Sequence, residues 1–378
     1  MRVSAILFAV LWAFGTPWQP PAPPLKTAPL PPPPLPPPPL WKEVEASGAA
    51  LSVERYLLRL GLRREDLAED TPTALTQLVR AQLAACPFEN LDVYLATEPT
   101  IDVDLRETYD KVVRRHRGGF CFEVNVAFGW LLRCLGFDAK FAMARVWRAA
   151  DPAIDEARAS SDVFEDQTET WDGANAPTHV IVFVEEDDEV FLCDVGFGDG
   201  PKAALPLVLG QDIRVPGDHA YRFARADDSS EARGLVTLYR LSRGSAGLNG
   251  IRSEPGTPEP RILFDTNLDR PKTHFEPGLL RVQTDPDAIF NRFLLVVRHD
   301  LDGNKLVLQG RRLRICTNDN RESTDTILET REAFLRTLAD DFLMTSLDAN
   351  EDRHLRDLLD HLFDEDEGEG AASRRRVP

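Results

Sequence analysis

The chain has 378 residues, 43% of them hydrophobic, enough for two or three compact units with a sizeable core. Its formal charge of -18 excludes sequence-independent binding to nucleic acid, which needs a basic surface to displace counterions, and disfavours attachment to anionic membranes. Much of that charge lies in residues 151–172 and in the tail after Asp360, so the folded body is less acidic than the total suggests.

Arg2 and the apolar run Val3 to Phe14 fit the loose template of a signal peptide, and the run is too short to span a bilayer. Pro17 to Pro39 is mostly Pro, Leu and Ala, a polyproline II composition that serves as a spacer or as a ligand for an SH3- or WW-type partner. Residues 1–43 are therefore expected to form a disordered arm, with folding from near Val44. Apolar spacing predicts helices over Ser52 to Leu60, Thr73 to Ala85, Leu105 to His116 and Phe122 to Leu135, giving a helical unit over residues 44–135. Pro87 to Leu91 interrupts it, with Glu89 and Asn90 expected to fix a loop. Arg117 and Glu123 are expected to pair as a buried bridge.

A β-rich unit is expected over residues 136–315. It opens with a strand from Phe137 to Val146, followed by a solvated acidic insert at 151–172. Two apolar runs, Thr178 to Val184 and Val190 to Val195, flank a short acidic segment and predict a hairpin. Further strands are expected at 221–223, 235–241, 261–264, 292–298 and 305–308, with a long Gly, Ser and Pro-rich loop at 242–260. The region 316–363 is expected to carry a closing helix from Thr326 to Leu343, and 364–378 a charged disordered tail.

The chemistry concentrates in Arg117-Gly118-Gly119-Phe120-Cys121, where a Gly-Gly turn sets one cysteine at a helix start. The partial positive charge of a helix N-terminus favours thiolate over thiol, and the N–H groups near Phe120 and Cys121 are candidates to hold a developing oxyanion. A cysteine nucleophile needs a base, and the base an orienting carboxylate. If the hairpin turns between Glu186 and Asp187, His179 sits directly opposite Asp194 with both side chains on one face. Cys86, Cys134, Cys193 and Cys316 form no C-x-x-C pair, so neither zinc nor a redox dithiol is expected; the first three are expected to pack as small apolar residues.

Arg117 to Asn125 (Arg-Gly-Gly-Phe-Cys-Phe-Glu-Val-Asn), Pro177-Thr178-His179 and Asp194-Val195-Gly196-Phe197-Gly198 together resemble the arylamine N-acetyltransferase family, as do Pro87 to Leu91 and Lys111 to Val113. The likeness covers roughly residues 45 to 345 and is dense up to Gly198. It implies an α+β fold: an N-terminal helical bundle, a central β-barrel-like domain, a C-terminal α/β lid and a cysteine-protease-like Cys-His-Asp architecture. It also implies catalysis by Cys121, His179 and Asp194, with acetyl-CoA as co-substrate, no tightly bound cofactor and no metal. Phe120, Thr178 and Phe197 are then expected to bind an aromatic amine. Thr284, in a segment that weakly resembles one near coenzyme A, is expected to contact that molecule, although Ala288 stands where the family has serine. A cytoplasmic location follows from the need for acetyl-CoA, with secretion the alternative. Two other readings stay open: a transglutaminase-like or papain-like cysteine enzyme, and a non-catalytic scaffold working through the Pro-rich arm and acidic tail.

Overall fold

Every residue from Cys121 to Leu132 is buried, so the helix they form must be covered on all sides rather than along one stripe. The computed structural model describes residues 38–47, 51–146, 177–225, 235–242, 255–268, 270–317, 322–347 and 352–364. The chain up to Pro37, with nearly all of the Pro-rich arm, the acidic insert, most of the 242–260 loop and the tail beyond Asp364 lie outside them.

The covering begins with helices α1 (Leu40–Ser47), α2 (Val53–Arg59), α3 (Thr71–Ala85) and α4 (Leu105–Tyr109), which precede the central helix α5 (Cys121–Cys134). Their starts are chemically marked. Ser52, Asp70 and Asp104 each accept a backbone N–H three residues on, satisfying a donor that the first helical turn leaves orphaned. The chain has already entered a helix at Leu40, whose side chain is buried with Val44. After α4 the residues Asp110–Arg114 widen into a π turn, and His116, at φ 49, ends the run. That widening leaves Lys111 buried rather than on a solvated face.

Two sheets complete the structure. The larger runs in the order β5 (Leu205–Pro206), β4 (Glu189–Leu192), β3 (His179–Glu186), β2 (Asp138–Val146), β9 (Pro258–Asp265), β8 (Leu235–Leu241), β7 (Ala220–Arg225) and β6 (Asp212–Arg214), all antiparallel. Its two edge strands, β5 and β6, follow one another in the chain across residues 207–211. The sheet therefore curls until its edges nearly meet, a nearly closed barrel. Strand β3 is buried on both faces: Val180, Val182 and Val184 join the core around α5, whereas Ile181 and Phe183 join Phe223, Leu238 and Phe264 inside the barrel. This is why its sequence is a continuous apolar run rather than an alternating one.

The smaller sheet runs β1 (Phe88–Glu89), β10 (Leu295–His299), β11 (Lys305–Gln309), β12 (Arg312–Cys316) and β13 (Ser323–Ile327). A third core fills the space between it and the C-terminal helices Arg331–Asp340 and Arg353–Phe363, through Val296, Leu308, Phe334, Leu338, Leu355 and Leu358. The expected closing helix is thus shorter than its apolar spacing implied. Thr326 and Ile327 pair as the edge strand with Leu313 and Arg312, and Thr330 caps the helix that follows. No helix among the described residues is long and apolar enough to cross a membrane.

Candidate active site

The Gly118-Gly119 turn is pinned to the segment after α3. Gly119 N–H donates to the Pro87 carbonyl at 3.1 Å, and Glu89 N–H donates to the Gly119 carbonyl at 3.0 Å. These bonds deliver Cys121 as the first residue of α5, 3% exposed, with its sulfur 4.0 Å from the Thr178 carbonyl. Gly196 closes the other side: a Cβ there would lie 2.6 Å from Asn125 Nδ2 and 2.8 Å from Cys121 Cα, so only glycine admits this approach.

His179 and Asp194 meet as expected, but through a different register. Glu186 pairs with Glu189, so the hairpin turns at Asp187-Asp188, with Asp187 at φ 51. The shift is two residues, which preserves the face on which each side chain lies. Asp194 falls beyond the end of β4 and still reaches His179, with Nε2 and Oδ2 2.8 Å apart and both residues buried. The Cys121 sulfur, against the carbonyl of the residue preceding His179, is close enough to act on the charge of the imidazole. Burial alone would push its pKa down; the Asp194 carboxylate, and then Cys121, reverse this and hold it at about 10.

Asn125 carries a role that its sequence context did not announce. Its Nδ2 donates to Asp194 Oδ1 at 2.9 Å and to the Val180 carbonyl at 2.7 Å, while its Oδ1 accepts from Val195 N–H at 3.0 Å. One amide thus ties α5 to both arms of the hairpin. Its place four residues after Cys121, on the same helix face, was the available signal.

The remaining candidates separate. Phe197 is half-buried with its ring 6.2 Å from that of His179, and Thr178 meets the site through its backbone carbonyl. Phe120 is fully buried against Phe88, Phe122 and Phe290, so its side chain is core rather than a surface offered to an amine. Its N–H is not an oxyanion donor either, because Glu123 accepts it at 2.7 Å. Thr284 is exposed at the end of the helix Glu276–Thr284 and gives its hydroxyl to the Leu280 carbonyl within that helix. Of the other cysteines, Cys86 and Cys193 are buried as expected, but Cys134 is exposed at the end of α5.

Residues 72–350 match the family model described as N-acetyltransferase. The chain belongs to the arylamine N-acetyltransferase family. Among its relatives is the pineal gland isozyme NAT-10 of Gallus gallus, 27% identical over 78% of this chain and 94% of that one. The N-malonyltransferase FDB2 of Gibberella moniliformis is 35% identical over 62% of this chain and 66% of its own. The fold is similar to that of the Mycobacterium marinum arylamine N-acetyltransferase solved in complex with CoA, with a TM-score of 0.63 and 26% identity, covering 82% of this chain and all of that one.

In this acetyltransferase chain the Gly118-Gly119 turn rests on a buried ion network. Arg117 does not pair with Glu123; it bonds Glu89 at 2.7 Å and Asp92 at 2.9 Å, and Lys111 bonds Glu123 at 2.9 Å and Asp92 at 2.7 Å. Burial alone would raise the Asp92 carboxyl, but Lys111 and Arg117 hold it well below the usual range; burial of Glu123 outweighs Lys111 and pushes that carboxyl up. The expected Arg117–Glu123 bridge fails because Lys111 takes Glu123 instead. Arg117→Gln leaves Glu89 with no arginine in a site 0% exposed, and should cost about 3–5 kcal/mol of unfolding free energy by urea titration. A loss under about 1 kcal/mol would show that the network does not hold the turn.

Proposed function

We propose that this chain transfers an acetyl group from acetyl-CoA to an arylamine, arylhydrazine or N-hydroxyarylamine, through an acetyl-cysteine on Cys121 and with ping-pong kinetics. One observation carries the reading: a buried imidazole bonded to a carboxylate at 2.8 Å lies beside a cysteine at a helix start, whose sulfur is 4.0 Å from the carbonyl of the residue preceding that histidine. With Nε2 on Asp194, the other ring nitrogen, Nδ1, is left for the sulfur. It takes the thiol proton and sets imidazolium beside thiolate.

In the first half-reaction the Cys121 thiolate attacks the thioester carbonyl. A carbon–sulfur bond forms to the enzyme, the bond to coenzyme A breaks, and the leaving thiolate takes the proton from His179. In the second, the uncharged amine attacks the acetyl-cysteine, neutral His179 takes its proton, and the Cys121 thiolate leaves. The partial charge at the start of α5 favours both the thiolate and, through the Cys121 N–H, the oxyanion formed in each half. Half-buried Phe197 offers an aromatic face to an acceptor ring next to the imidazole. The acyl group is acetyl in the name of the family and malonyl in that of the Gibberella relative, and the same steps serve both.

The test is acetyl-CoA without acceptor, followed by intact-mass spectrometry and peptide mapping. One acetyl group on Cys121, discharged when an arylamine is added, is the expected result. Absence of acylation with any acyl-CoA, or discharge by water alone, would favour a hydrolytic cysteine enzyme and overturn the proposal.

A further inference from the structure

We propose that Arg261 is a carboxylate-binding residue of the substrate pocket, receiving a carboxylate carried by one of the two substrates, on the acyl chain of the donor or on the ring of the acceptor. The inference rests on the acyl-transfer reading and names a substrate class for it. Arg261 lies in β9, is 7% exposed, and sets its guanidinium 5.1 Å from the centre of the Phe197 ring. The His179 imidazole lies 6.2 Å from that same ring. A single half-buried aromatic side chain therefore links a buried cation to the imidazole.

The surroundings leave that cation under-compensated. Asp199 Oδ2 accepts from Arg261 and from Arg240, the latter at 3.1 Å, and its Oδ1 accepts from Lys305 at 2.6 Å. Glu259 is bonded to Arg240 at 2.8 Å. Nearby, Asp218 accepts from the Lys202 backbone N–H and from the Tyr221 hydroxyl. Among the described residues three cations, Arg240, Arg261 and Lys305, thus share Asp199, with Glu259 bonded to Arg240 besides. Within this group the buried Arg261 Nε has no hydrogen-bond partner. A buried guanidinium N–H without an acceptor is a costly arrangement unless something else supplies one. A carboxylate does so with matching geometry, since its two oxygens can take parallel N–H donors from the planar guanidinium.

The experiment compares kcat/KM within matched pairs in the full-length protein and in Arg261→Gln. Malonyl-CoA against acetyl-CoA reports on the donor, and 4-aminobenzoate against 4-methylaniline reports on the acceptor. General damage to packing lowers both members of a pair alike and cancels in the ratio. The preference for the carboxylate-bearing member should fall roughly 10- to 100-fold in one of the two pairs, and the pair that responds identifies which substrate carries the group. Arg261→Lys, which keeps the charge, should restore part of that preference. Equal losses in both members of both pairs would make Arg261 a packing residue, or a contact to the coenzyme common to every donor, and would overturn the proposal. Wild-type protein that forms no acyl-cysteine with either donor would instead remove the acyl-transfer reading, a failure visible before any variant is made.

Discussion

Cys121→Ala should abolish acyl transfer, with turnover falling by about 10⁴-fold or more and no acyl group retained on the protein. The serine variant should fall nearly as far, because an alcohol at this place gives up its proton far less readily than a thiol. No other thiol is placed to substitute. Burial pushes the thiols of Cys86 and Cys193 up, and Cys193 has the Asp194 carboxylate beside it as well. Cys134 is exposed at the far end of the same helix, where the macrodipole disfavours an anion. The fold should survive: one sulfur is removed from a site 3% exposed, a loss of about 1 kcal/mol that a melting curve separates from the catalytic loss. Retained turnover in a folded Cys121→Ala protein, or acetyl label mapped to Cys134 or Cys316, would end the assignment of the nucleophile.

How much of this was legible in the sequence depends on how local each feature is. The Gly-Gly turn before Cys121 and the hairpin bearing His179 and Asp194 are short-range patterns, and both formed. The hairpin even tolerated a register error, because a two-residue shift leaves the face of each side chain unchanged. The ion network was not legible. Lys111, Glu89, Asp92 and Glu123 are each ordinary surface types, and their burial follows from how α5 and the π turn pack. Asn125 was readable as a neighbour of Cys121 on the helix, but its bonds to Val180, Asp194 and Val195 required the docked hairpin. Strand β13 is exposed throughout and shows no alternation, so only its pairing with β12 defines it. The helix Arg353–Phe363 did carry its apolar spacing at Leu355, Leu358, Leu359 and Leu362, and the surrounding charge concealed it.

Asp194→Asn should be nearly as damaging as loss of the nucleophile, and for a reason that a pH profile reads directly. Asp194 Oδ1 accepts from Asn125 Nδ2 and from Gly196 N–H, so an asparagine keeps its oxygen there and turns its NH₂ toward His179. Nε2 must then accept, the ring proton moves to the nitrogen facing the sulfur, and the imidazole can no longer take the thiol proton. Turnover should fall about 10²- to 10⁴-fold. Without the carboxylate the ring loses the largest contribution that opposes burial, so its pKa drops from the value of about 10 held in the wild type. Iodoacetamide labelling of Cys121 should therefore hold a plateau across neutral pH in the wild type and lose it in the variant. Stability must carry the same sign. A folded pKa raised from 6.5 to about 10 contributes stabilisation that is complete below pH 6.5 and is lost as pH rises through about 10. The wild-type advantage over Asp194→Asn should thus be widest in acid and close toward pH 10. An advantage that widened with rising pH, or a variant that kept the labelling plateau, would mean that Asp194 does not charge the imidazole, and the base assigned to Cys121 would have to be sought elsewhere.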